Sequence, residues 1–130
     1  MLFRSHTRAL QSETAALIDH FRAAIQSAPA SALAALYTYE SRVPAIARTK
    51  AEGLKQHYTA DPATARYFTL HQTADVYHAQ VWRSAIETEL AVHPEAAEAA
   101  LDMAEATAAV LWQALSGIER ERQQARIVAA

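Results

Sequence analysis

Apolar residues recur at helical spacing along nearly the whole chain, and nowhere do they alternate with period two. Near the N-terminus Leu10, Leu17, Ile18, Phe21 and Ile25 follow this spacing, and toward the C-terminus Leu101, Ala108, Leu111, Leu115 and Ile118 do so. A period of about 3.6 residues gathers such side chains into one stripe on a helix, whereas a strand would scatter them over both faces. The chain is therefore expected to be all-α. Its make-up agrees: two glycines and four prolines among 130 residues, with Ala, Leu, Glu, Gln and Arg abundant, are choices that lose little conformational freedom in a helix.

Four helices are expected, forming one antiparallel bundle over residues 1–130. The first runs from about Thr7 to Gln26, before Pro29 interrupts. The second starts near Ser31, a fitting N-cap, and reaches toward His57. It must kink or break near Ser41–Val43, because Pro44 has no amide donor and its ring collides with the carbonyl four residues back. Asp61 as cap and Pro62 at the first helical position open a third helix that ends near Leu90. The fourth runs from Pro94 to about Arg122, with Gly117 as a weak point. Trp82, Trp112, Tyr67 and Phe68 are expected as core aromatics, and His57 and His93 as caps or surface residues. The ending IERERQQARI reads as a solvated helix end.

Several function classes drop out. A net charge of −2 and a pI near 6.3 provide no electrostatic ground for a nucleic-acid or anionic-membrane partner. The absence of cysteine excludes disulfides, zinc–thiolate sites and a thiol nucleophile. The N-terminal stretch lacks a signal-type apolar core, and no apolar run approaches the ~20 residues that span a bilayer. A cytoplasmic protein is expected.

The segment YFTLHQTADVYH, residues 67–78, carries the chemistry. At ~100° per residue, His71, Asp75 and His78 fall on one stripe. Two imidazoles and a carboxylate at i, i+4 and i+7 suit a first-row transition metal, although spacing alone leaves open a solvated face. Glu40, on the preceding helix among Leu36, Tyr37, Tyr39 and Val43, would be the facing ligand, since helix bundles build metal sites from inward side chains of facing helices. A carboxylate in such surroundings is costly to desolvate unless it is paired or metal-bound. Lys50 is ordinarily a solvated charge; turned toward a metal it would be a candidate reacting or proton-shuttling amine.

LYTYESRVPAIARTKAEGLKQHY followed by YFTLHQTADVYHAQVW closely resembles the family of the Chlamydia protein associating with death domains. These are iron-containing redox proteins of the haem-oxygenase-like fold, grouped as dimetal oxidases. The likeness is strong over about residues 30–90. It rests on Tyr-Glu, the Val-Pro-x-Ile-Ala kink, a Lys ten residues after the Glu, and His-x3-Asp-x2-His. The resemblance implies that Glu40, His71, Asp75 and His78 ligate iron, that Lys50 lies near the metal, and that Tyr39 is the aromatic residue before the ligand Glu. Tyr39 and Lys50 are thus the candidate catalytic side chains. It further implies an iron-dependent oxidase acting on dioxygen and a small-molecule substrate in an apolar pocket between the second and third helices.

In that family an upstream helix supplies a further Glu and His. The chain is accordingly expected to be the C-terminal part of a haem-oxygenase-like domain, truncated at its N-terminus. Glu13 and His20 repeat the Glu-x6-His spacing, but their surroundings do not match, and His6 is no clearer a replacement. One iron per chain is the expectation, with two only if another segment or subunit completes the site. The alternative is a non-catalytic helical scaffold that retains part of the metal site and forms homo-oligomers. The missing cysteine argues against thiaminase-like relatives, and an assembled ligand set argues against the metal-free quinone synthases of the same fold.

Overall fold

The computed structural model describes residues 9–128. Five α-helices and one 3₁₀ turn account for its regular structure: α1 Ser12–Ala24, α2 Pro29–Glu40, α3 Val43–Tyr58, α4 Pro62–Val92, the turn Pro94–Ala96, and α5 Ala97–Val128. No strand occurs among the described residues, so the all-α expectation holds.

Local chemistry explains most boundaries. Pro29 occupies the first turn of α2, where its missing N–H costs nothing and its fixed φ is already helical. Ser31, expected as the cap, is instead buried inside that helix. The expected weak point at Pro44 becomes a complete break. The amide that Pro44 lacks is the one that would bond the Glu40 carbonyl, so α2 ends at Glu40 and α3 begins at Val43. Asp61 caps α4 as expected: its Oδ1 accepts the Thr64 backbone N–H at 2.7 Å, with Pro62 in the first turn. Thr59 ends α3 in the left-handed region, φ 51°, while the Ala60 N–H reaches back to the Leu54 carbonyl. His57 and His93 are exposed near helix ends, as expected.

The helices pack in the order α1, α5, α2, α4, α3. Although α4 and α5 are consecutive, they touch little, because α2 lies between them. Such an open order encloses small residues only. Among the described residues the buried apolar side chains are Ala24, Ala30, Ala34, Ala35, Ala47, Ala100 and Ala114. Alanines let helix axes approach closely, but each removes little apolar surface from water.

On α5 the buried positions are Ala100, Thr107, Ala114 and Gly117, a heptad-like seam turned well away from the expected Leu101 and Leu115, while the expected Ile118 lies close to its line. Those three are 61%, 58% and 54% exposed. Gly117 belongs to this seam because α1 crosses there: an added Cβ would lie 2.9 Å from Gln11 Oε1 and 3.0 Å from Glu13 Cδ. Trp112, expected in the core, is 72% exposed. Tyr67 is exposed, while Phe68 and Trp82 are half-buried.

Candidate metal centre

Asp75 organises the site. It is 3% exposed, the one buried residue of α4, and both of its oxygens are engaged. Oδ2 lies 2.9 Å from His71 Nδ1, and Oδ1 lies 3.0 Å from His78 Nδ1. A carboxylate only accepts, so each ring donates from Nδ1. A buried carboxylate between two imidazoles is the arrangement that tolerates desolvation.

Glu40 meets this cluster from α2. Its Oε2 accepts the indole Nε1–H of Trp82 at 2.7 Å and lies 3.5 Å from His78 Nδ1. Because Pro44 ends α2 there, the Glu40 carboxylate sits at the negative end of the helix dipole. That position disfavours an anion and favours a cation beside it. Glu40, Asp75 and His78 each offer a ligand atom, and these atoms lie within 4.8 Å of one another. Coordination at about 2 Å per bond requires little further closure. Two carboxylates and an imidazole with oxygen and nitrogen donors suit Fe(II), so the residues fit the metal. His71 reaches this group through Asp75 and is not one of the three convergent residues.

Two aromatic residues neighbour the cluster. The Tyr67 ring lies against His71, with centroids 4.3 Å apart. Tyr39, 42% exposed, makes an edge contact with Phe21. Burial, and then the nearby Tyr67, Asp75 and Glu40, raise its phenol above the ordinary 10.0, so it stays protonated beside the carboxylates. Trp82 is the contributor that pattern reading passed over as a core aromatic; its position four residues after His78, on the same stripe, was the available signal. Lys50 is exposed on α3 and, among the described residues, has no hydrogen bond or ion pair to the cluster.

Glu13 and His20 serve elsewhere. Glu13 pairs with Arg120 of α5. His20 Nε2 lies 2.8 Å from Thr107 Oγ1, whose own proton goes to the Met103 carbonyl. The imidazole must therefore donate, and both residues tie α1 to α5. His6 lies outside the described residues.

A cavity of about 580 Å³ opens between the α2–α3 junction and α4, with Asp75 on its wall. It stands where a substrate pocket was expected, but polar side chains share its lining.

The pattern of the iron-containing redox enzyme family matches residues 3–112. The chain belongs to this family. With it comes the haem-oxygenase-like all-α fold. Relatives within reach include the 4-aminobenzoate synthase of Nitrosomonas europaea, 39% identical over 108 residues, which are 82% of this chain and 44% of that protein. The 4-aminobenzoate synthase of Chlamydia trachomatis is 46% identical over 59 residues, 45% of this chain and 26% of that protein. That of Chlamydia pneumoniae is 36% identical over 84 residues, 65% of this chain and 37% of that protein. The chain thus spans less than half the length of each of these relatives.

Proposed function

We propose that Glu40, Asp75 and His78, with His71 as a fourth donor, hold iron and that the protein is an oxidase acting on dioxygen and a small molecule. The observation that carries this reading is the convergence of two carboxylates and an imidazole from α2 and α4 around a buried Asp75. When bound, iron supplies the redox chemistry that activates dioxygen. Glu40 and Asp75 offset the charge of the cation, Trp82 fixes the Glu40 carboxylate, and Tyr67 sets the plane of His71. Tyr39 holds a phenolic proton beside the carboxylates, where it can be passed to a reacting group. Lys50 enters the reaction only if its long side chain swings in from the surface. The names of the relatives bring 4-aminobenzoate to this reading as the class of product.

Iron analysis after anaerobic loading with Fe(II) tests it. One iron per chain is expected, lost in His78→Ala, together with oxygen consumption that requires the metal. Two irons per chain would mean that a second subunit completes the site. No iron at any loading, with the variant indistinguishable from the parent, leaves a second reading: a self-associating helical scaffold. The exposure of Leu101, Trp112, Leu115 and Ile118 on α5 favours that reading.

A further inference from the structure

The cavity beside Asp75 holds one cation, Arg48 of α3. Among the described residues Arg48 has no carboxylate partner, and although it shares the cavity lining with Asp75 the two form no ion pair. The remaining wall combines hydrogen-bonding groups, Tyr37 and Gln80 among them, with the apolar surfaces of Pro44 and Val76. A guanidinium is a planar fork that matches a carboxylate with two parallel hydrogen bonds. It also opposes the anionic field that Asp75 and Glu40 set up, so it is the place in this cavity where a negative ligand group is stable.

We propose that Arg48 anchors the carboxylate of a small substrate or product whose apolar body lies along Pro44 and Val76. Repulsion by Asp75 orients such a molecule: its carboxylate goes to Arg48, and its uncharged end turns toward Asp75 and the metal-binding cluster. On α3, Arg48 and Lys50 stand about 160° apart around the helix axis, so the anchor is distinct from the lysine singled out by the family resemblance. The proposal deepens the oxidase reading, and rests on it for what the bound molecule then undergoes.

Binding to the metal-free chain tests the anchor without any activity. Isothermal titration with 4-aminobenzoate and with its uncharged amide is expected to show the carboxylate binding tenfold or more tightly. Arg48→Gln, at an exposed position where folding can be checked by circular dichroism, should remove that preference while the amide binds as before. Arg48→Lys should retain part of it, because the charge remains but the fork is lost. Equal affinities for the two probes, no binding of 4-aminobenzoate at millimolar concentration, or an unchanged preference in Arg48→Gln would each overturn the proposal. Fe(II) binding by Arg48→Gln should match the parent. Carboxylate preference in a protein that binds no iron would sink the oxidase reading and leave the anchor standing.

Discussion

Trp82 shows how one hydrogen bond positions a ligand. Its indole N–H is the donor at 2.7 Å to a carboxylate that sits at the unfavourable end of its helix. Trp82→Phe keeps the ring and deletes that donor. Metal affinity is expected to fall about tenfold or somewhat more, the usual cost of losing an outer-shell partner, as read by competitive Fe(II) titration under anaerobic conditions. Unchanged affinity would mean that Glu40 is oriented by something else. The two histidines are also expected to differ. His78 belongs to the convergent group and His71 reaches it through Asp75, so His78→Ala should lose binding that His71→Ala only weakens. The reverse order in the same titration would place the metal on the His71 side of Asp75.

The turn between α3 and α4 is where element boundaries can be tested. Thr59 holds φ 51°, a left-handed conformation that costs a side-chain-bearing residue about 1–2 kcal/mol, while glycine there gives back about 0.5–1 kcal/mol in chain entropy. Thr59→Gly should therefore stabilise the protein by about 0.5–1 kcal/mol, a rise of a few degrees in thermal midpoint. A lower midpoint would show that the Thr side chain contributes a contact of its own. Two residues on, the Thr64 N–H holds the Asp61 carboxyl below its ordinary 3.8. A carboxyl lowered by folding stabilises the native state above its unfolded value, and that contribution fades as pH falls through the native one. Asp61→Ala should accordingly lower the thermal midpoint at neutral pH, with the difference from the parent shrinking as the pH falls below the ordinary 3.8. A difference independent of pH would remove the charge from the explanation of this cap.

The molecule as a whole leaves much of its large apolar surface in water. Leu101, Trp112 and Leu115 form a stripe on α5 roughly 100° or more from its buried seam. On α4, Leu70, Tyr77 and Val81 line a second face away from Asp75. Monomers rarely expose contiguous apolar patches of more than a few hundred Å² without a partner, and a second copy of the chain is the occupant we expect on α5. Sedimentation should show concentration-dependent association, with Leu115→Glu shifting the equilibrium toward monomer by tenfold or more, because a charge in such a contact is left unpaired. A parent protein that stays monomeric at high concentration would refute this. The same experiment with Leu70→Glu separates the α4 face from the α5 face.

Much of this architecture was legible in the order of residues. Periodicity alone determined the all-α class, because no other element can collect a 3.6-residue stripe. Pro44, Pro62 and Asp61 marked breaks and starts, since a missing N–H and a capping carboxylate act over a single turn. The stripe His71, Asp75 and His78 was visible for the same reason: residues within two turns of one helix have fixed relative positions. What the residue order left undecided depended on how helices meet. Large apolar side chains suggested that α5 would bury Leu101 and Leu115, yet the helices approach through Ala100, Thr107, Ala114 and Gly117, because small residues permit the closest approach. Glu13 and His20 repeated the Glu-x6-His spacing in surroundings that did not match, and packing against α5 showed what those side chains do instead, pairing with Arg120 and Thr107. Glu40 was expected to face the stripe on α4, whereas its hydrogen bond to Trp82 across the gap between α2 and α4 came from tertiary structure alone. Contacts between residues far apart in sequence follow from helix approach and rotation, and local spacing determines neither.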